Sequence, residues 1–547
     1  MAPRKPKACQ HQAIIVDASE YGRAKAGFIR VPPEKRVAGT TLSGRVQPMP
    51  ANTSRPYPNS SSGPGPGPGS GSDNLNVPAP PVPSTFPGPL VLPDDDLALE
   101  PRYPPQSLRS WAMGQWRNPI TPAQKTLYVA DVPRIDESAA FMRGWALPDL
   151  SGVTTLPPGF AAVLEHPRVE DVVAYFAAFY HPLPVAVLPT RLRFVKWDDE
   201  NVPPRTPRGG SGKQTKKPKP MVVGLAMGDG EGVPVVGIRC RPGPDGLARM
   251  QLNLNDLLSA LRGVLPGAAY AACMLVAQDL YEDENDDFCC GRAFGGSRIC
   301  TVSSFRYRPV LDSVVGVERE HMWPASHCGT FVVEACEWWE EQGEMLEGDG
   351  DGEGRGTKGK GKKKKKKEDG GGEIMVDLKR VKGTAMGGAI AASRDVLVPR
   401  EASRDKRQAE EDLKGMWFAR VARTAAHEVG HCLGMDHCVY YACVMQGTGG
   451  LGEDGRQPPY FCPVCEAKFI WGLGEMGIVD GGRGGRWVEG RMAEVERKRM
   501  EIMRGFCEGW KGVGMFAGYR GWLDARLRSE FRGGRALKED VEVIVID

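Results

Sequence analysis

Histidine is scarce in this chain, at 8 of 547 residues. Three of the eight fall at His427, His431 and His437, and such scarcity makes chance crowding a poor account of them. Charge of one sign is also nearly absent as an excess. The net charge is +3, so the molecule as a whole gives no argument for a nucleic-acid partner. The N-terminus, MAPRKPKACQHQ, lacks a secretory apolar region, and no uncharged apolar run approaches membrane length. The expectation is an intracellular protein, cytoplasmic or nuclear, without a membrane partner. Its 14 cysteines are then expected to bind metal or stay reduced, not to build a disulfide framework. Cys9, Cys240, Cys273, Cys289, Cys290, Cys300, Cys328, Cys336, Cys432 and Cys507 default to buried or free thiols.

What is present is the run HEVGHCLGMDHC, His427 to Cys438. His427 and His431 stand four apart, so on a helix they share one face, one turn apart. Two imidazoles so placed can grip one zinc ion. Glu428 projects beside such a metal, where a carboxylate can take a proton from a bound water. Gly434 can end the helix, because glycine enters the left-handed region without a Cβ penalty. The turn lets the chain return and offer His437 as a third ligand. Three protein ligands leave a fourth position open, as catalytic zinc requires. A bare H-E-x-x-H arises by chance on surface helices, but the glycine and third histidine at these offsets make the pattern specific.

A second motif is interleaved. Cys438 follows the last histidine, Cys443 and Met445 come soon after, and Cys462 and Cys465 form a C-x-x-C in PYFCPVCEAKF. Four thiolates in two close pairs suit a closed, tetrahedral structural zinc. The alternatives are four unrelated thiols or a redox C-x-x-C, and no thioredoxin-like strand pattern surrounds the latter.

With these residues in place, the sequence resembles the archaemetzincins, a family of metzincin-type zinc metalloproteases. Their pattern joins H-E-x-x-H-x-x-G-x-x-H-C to C-x-M and a distant C-x-x-C, met here by His427, Glu428, His431, Gly434, His437, Cys438, Cys443, Met445, Cys462 and Cys465. Sixteen residues separate Met445 from Cys462, about one fewer than in the family pattern. The difference falls in GTGGLGEDG, read as a loop that tolerates deletion. Upstream, residues 275–296 look like the family's segment from D-L-Y onward, and WPASHC at 323–328 also looks like family sequence. Residues 297–308 look like its edge strand, with Ser303 and Arg306 as the S-x-x-R element. The likeness is loose over 86–338 and close over 413–475. It implies two zinc ions per chain, one catalytic at the histidines and one structural at the cysteines. It also implies Glu428 as general base, Met445 in a tight turn beneath the ligands, and an edge strand that pairs with an extended peptide or protein substrate.

Composition suggests the organisation. Residues 1–85, with SSSGPGPGPGSGS at 60–72, are expected to be mostly disordered. Residues 86–475 read as the catalytic domain, interrupted near 198–220 and over 341–396. The second interruption holds KGKGKKKKKKEDGGG, where like charge and glycine oppose folding. It reads as a solvated linker, or as a nuclear-localisation or polyanion-binding tract. The pattern predicts a helix over 168–180, a strand over 183–195, a helix over 255–264 capped by Asn255, and a buried strand over 271–278. The motif helix is expected from about 403 to 433, with a core stripe at Leu413, Trp417, Val421 and Ala425. Residues 476–547 read as a helical extension.

The expected fold is α/β (α+β): a metzincin-like zinc metalloprotease domain with a mixed sheet, an active-site helix, a structural zinc site, C-terminal helices and disordered insertions. The expected function is zinc-dependent hydrolysis of peptide bonds. The alternative is an inactive zinc-binding interaction protein of the same fold, against which an intact Glu428 stands. A nucleic-acid binder would need a basic helix or aromatic platform that the sequence lacks.

Overall fold

The computed structural model describes residues 11–45, 83–151, 165–198, 221–348, 375–394, 396, 406–475 and 489–531. Its strands are β1 (Ala13–Ile15), β2 (Thr126–Ala130), β3 (Arg134–Ile135), β4 (Val185–Val187), β5 (Arg193–Val195), β6 (Met221–Ala226), β7 (Val235–Arg241), β8 (Gln251–Asn253), β9 (Ala269–Val276), β10 (Asp279–Tyr281), β11 (Gly291–Phe294), β12 (Ile299–Ser303) and β13 (Met375–Asp377). The helices are α1 (Pro33–Gly39), α2 (Asp96–Leu99), α3 (Leu108–Met113), α4 (Val169–Phe179), α5 (Leu254–Gly263), α6 (Gly329–Gly348), α7 (Ala385–Ser393), α8 (Lys406–Cys432), α9 (Leu451–Arg456), α10 (Pro463–Glu475), α11 (Glu489–Gly509) and α12 (Gly514–Phe531). The architecture is mixed α/β.

The central sheet runs β11-β12-β9-β2-β4. Its inner strands are parallel, and β9, AYAACMLV, is buried at every position. A near-continuous apolar strand is what a parallel sheet covered on both faces demands. The outer strand β11 runs antiparallel to β12, from Gly291 opposite Val302 to Phe294 opposite Ile299. A second sheet, β10-β8-β7-β6-β5-β3, shares a core with the first through Leu257, Leu258 and Leu261 of α5, Met274 of β9 and Ile299 of β12. Helix α8 packs on the other side, against β9, β11 and β12, and touches α4 and α12. No helix of the described residues is long and apolar enough to cross a membrane.

Several expectations are corrected. Residues 11–45 are not featureless: β1 pairs with β13 in a two-stranded antiparallel sheet, and Gly39 of α1 abuts Tyr440. The stretch 375–394, expected within an unfolded insertion, forms β13 and α7. Met386, Ala389 and Ile390 join the main core, and α7 packs closely on α12. Small residues permit that approach, since a Cβ on Gly388 would lie 2.6 Å from the Gly521 carbonyl oxygen. The lysine run and the glycine-rich run at 60–72 lie outside the described residues. Residues 183–195 are two strands, β4 and β5, in different sheets. The α5 cap is Asn253, whose side chain accepts from the Asp256 N–H at 3.1 Å. The edge strand is β11, one hairpin earlier than 297–308. In helix α8 the expected stripe members Trp417, Val421 and Ala425 join the main core, and burial extends further than one stripe, to every face over 415–426, because the sheet covers one side and α11 and α12 close the other. Those two terminal helices place Met500, Phe516 and Trp522 in the main core, so they are integral to it.

Candidate functional site

Helix α8 delivers His427, Glu428 and His431 at its C-terminal end. The helix stops at Gly434, whose φ is +78°. Schellman-type bonds close it, Met435 N–H to Gly430 C=O at 3.2 Å and Gly434 N–H to His431 C=O at 2.9 Å. Glycine is required at 434 twice over, because a Cβ there would also come within 2.6 Å of the Arg117 Cβ. The Trp111 indole N–H donates to the Leu433 carbonyl at 2.9 Å, and Gln106 donates to the Gly434 carbonyl at 3.1 Å. The segment around α3 therefore clamps the turn that brings His437 back.

The three imidazoles converge, with one nitrogen from each lying within 4.8 Å of the others. The Nδ1 atoms of His427 and His431 lie 2.7 Å from the carbonyls of Val444 and Met435. A carbonyl can only accept, so each Nδ1 carries the proton and each Nε2 keeps its lone pair. Those two Nε2 atoms stand 3.0 Å apart. Two facing lone pairs repel unless a cation sits between them, and bound metal is the arrangement this tautomer serves. Burial also holds both rings neutral: His427 is pushed well below the usual histidine value, and His431 down to about 4.

Glu428 is buried at 6% exposure. Burial raises its carboxyl to about 8, with Arg292 pulling the other way. The β11 backbone passes directly above it, since a Cβ on Gly291 would lie 3.2 Å from Glu428 Oε1. Two cavities meet at this point, of about 380 and 770 Å³, and His427, Glu428 and Gly291 line both. Tyr307, Arg423 and Asp454 line the first, and Tyr103, Trp111 and Arg292 the second. Together they form a cleft along the edge strand.

Met445 is fully buried and its sulfur rests against Gly430 of α8, between the two helical histidines. The Cys438 N–H donates to the Met445 carbonyl at 2.7 Å, closing the loop that carries the cysteines. Cys438, Cys443, Cys462 and Cys465 are buried and unbridged, and their sulfurs lie within 4.8 Å of one another. Sγ of Cys438 and Cys462 are 3.5 Å apart. The thiols of Cys443, Cys462 and Cys465 point at Cys438 and hold it well below the usual thiol value, while burial pushes Cys443 and Cys462 up. Four buried thiols cannot all ionise without a cation, and a tetrahedral metal ion is one group they could hold.

Residues 402–470 match the model of peptidase family M54. Archaemetzincin-2 of Mus musculus is 30% identical over 113 residues, covering 20% of this chain and 31% of that protein. The archaemetzincin of Aeropyrum pernix is 38% identical over 63 residues, covering 12% of this chain and 34% of that protein. The segment bearing the site thus resembles peptidase family M54, and part of the chain is similar to archaemetzincins. The matched stretches span about a third or less of these relatives' own length. The crystal structure of an archaemetzincin from Methanopyrus kandleri, 14% identical with a TM-score of 0.26, covers 64% of this chain and 97% of that one, a likeness too loose to carry an argument.

The matched segment, 402–470, contains the three histidines, Glu428, Gly434, Met445 and the four cysteines read from the sequence. Ser303 and Arg306 lie elsewhere and serve the framework: Ser303 donates to the Gln278 carbonyl at 2.7 Å, and Arg306 forms a buried pair with Asp279 at 2.6 Å. The stretch GTGGLGEDG, expected as a loop, enters α9 at Leu451, and its Asp454 makes a buried ion pair with Arg423 of α8. Sequence reasoning missed Gly430, Gly291, Gln106, Trp111 and Gly447. A Cβ on Gly447 would lie 2.7 Å from His437 Nδ1 and would overlap the Asp96 carboxylate. Gly430 alone left a signal, as a glycine inside a helix.

Proposed function

We propose that this chain is a zinc-dependent peptidase whose catalytic metal is held by His427, His431 and His437 and whose general base is Glu428. The observation that carries the reading is the pair of Nε2 lone pairs of His427 and His431, 3.0 Å apart, beside a buried carboxylate in a cleft under an edge strand. Zinc bound there would supply Lewis acidity, polarising a carbonyl and acidifying water. Glu428 takes the proton that water loses on attack and passes it to the departing amine. Arg292 favours the ionised carboxylate, and a cation at the histidines would act in the same direction. Strand β11 offers its outer backbone groups to an extended peptide, which would lie across both cavities. Val444 and Met435 hold the imidazoles through their carbonyls, and Met445 fills the space beneath them. The four cysteines hold a second, structural zinc that fixes the chain just after His437. The substrate class is peptide or protein.

The test is cleavage of a peptide library by the purified full chain. Cleavage that stops on chelation and returns with zinc supports the reading. No cleavage of any peptide by zinc-loaded, folded protein would favour an interaction protein of the same fold instead.

A further inference from the structure

We propose that His11, His321 and Cys328 form a third metal site, of zinc-type chemistry, separate from the histidine and cysteine centres above. One ligand atom from each of the three lies within 4.8 Å of the others. His321 and Cys328 are buried, at 5% and 1% exposure. They come from short turns that precede α6, whereas His11 immediately precedes β1. An isolated bridge between Ile14 and Cys328 brings the two parts of the chain together.

The imidazoles are arranged as metal ligands are. His321 Nδ1 lies 3.0 Å from a Glu318 carboxylate oxygen, which fixes the proton on that nitrogen and leaves Nε2 with its lone pair. His321 Nε2 is buried and has no hydrogen-bond partner among the described residues. His11 faces Glu320 with its Nε2 at 3.9 Å, and its buried Nδ1 likewise has no partner among the described residues. Two orphaned nitrogens in one buried spot are costly, and a shared cation satisfies both at once. The His321 ring is held in place by stacking on Phe331, at 4.1 Å between centroids and 14° between planes.

The donor set decides the ion. Two imidazoles and one sulfur suit a borderline-soft metal such as Zn²⁺, and exclude Ca²⁺ and Mg²⁺, which require oxygen. Three protein ligands leave one position for water. A cavity of about 480 Å³, lined by His321, Glu318, Phe331 and Trp338, provides the entry path. The consequence is mechanical: the ion would pin the N-terminal strand to the catalytic body, joining segments far apart in sequence.

The experiment is metal content of the full chain loaded with zinc and desalted, for wild type, His11→Ala and His321→Phe. The phenylalanine keeps the stack on Phe331. Each variant is expected to hold one equivalent less than wild type, and to keep peptide cleavage. Equal metal content in wild type and both variants overturns the site. Since a variant can fail to fold, ¹¹³Cd NMR of the cadmium-loaded wild type gives an independent answer. A resonance from a mixed nitrogen–sulfur donor set, besides those of the all-nitrogen and all-sulfur sites, supports the proposal. Its absence from the saturated protein overturns it.

Discussion

A Cβ placed on Gly430 would overlap the sulfur of Met445 and come within 2.9 Å of its terminal methyl. The helix thus surrenders a side chain between its two histidines so that a methionine can pack there. Gly430→Ala should gain about 1 kcal/mol of helix propensity. It should lose roughly 1–3 kcal/mol to overpacking, and the loss should win because Met445 has no exposed side toward which to retreat. Zinc affinity at the histidines should fall about tenfold or more, as their supports shift. The double variant with Met445→Ala removes the clash and should be more stable than Gly430→Ala alone, a non-additivity expected of residues in contact. Additive losses in urea unfolding would show that the contact does not matter.

Glu428 is not among the three converging side chains at the histidine cluster. Glu428→Gln should therefore retain wild-type zinc while turnover falls by roughly 10²–10⁴. Zinc content and single-turnover cleavage, measured on one preparation, check this. Near-full hydrolysis by the glutamine variant would remove Glu428 from the chemistry.

The cysteine centre fixes the direction of the chain just after His437, because Cys438 is both a cluster member and the residue whose N–H meets Met445 C=O. Cys465→Ser should release one equivalent of zinc and lower stability, since metal binding at such a site is partly folding energy. Cleavage should also fall, although Cys465 is not a histidine-site ligand. Unchanged metal content would take Cys465 out of the centre.

The two clusters were legible because each member is a chemically special residue at a fixed spacing: His427, His431, His437 and the four cysteines, which the structure brings together, needed no knowledge of the fold. Helices α4 and α8 and strand β9 were legible from apolar pattern over long runs. Residues 375–394 were not, because the composition of the neighbouring lysine run dominated that stretch. The small-residue face of α7 has no meaning until α12 lies against it. Strand β11 was hidden by its shortness and its glycine, and only the sheet register reveals that Gly291 passes over Glu428. Gln106 reaches the turn before His437 from 328 residues away, and the approach of Gly447 to His437 follows from the fold of the loop between them; motif spacing encodes neither.

That distinction bears on the lysine-rich insertion. Removing 351–372, which holds most of the low-complexity run, should leave cleavage within about threefold, because the closure entropy of a connection depends only weakly on its length. Extending the deletion to 345–390 should unfold the protein or cost several kcal/mol, because it removes β13, the partner of β1, and most of α7, which packs on α12. Thermal unfolding of the two deletions distinguishes them. Equal stability would mean that α7 contributes nothing to the core.

His166 gives the fold an acid sensitivity away from any metal. Its ring packs edge-on against Trp417 of α8, 5.7 Å between centroids. Its Nδ1 lies 2.6 Å from the Pro167 carbonyl, and its buried Nε2 has no partner among the described residues. Burial, aided by Arg308, lowers its value from 6.5 to about 4. The folded state therefore binds the proton less readily than the unfolded chain. The sign follows: the contribution is neutral above pH 6.5, and stability falls as pH drops from there toward about 4, by as much as about 3 kcal/mol. His166→Phe keeps an aromatic ring against Trp417 and removes the titration. Urea unfolding of both proteins between about pH 7 and pH 4.5 should show a shallower acid loss in the variant, by up to about 1.4 kcal/mol per pH unit. Parallel curves would mean that His166 is protonated at no cost in the folded protein.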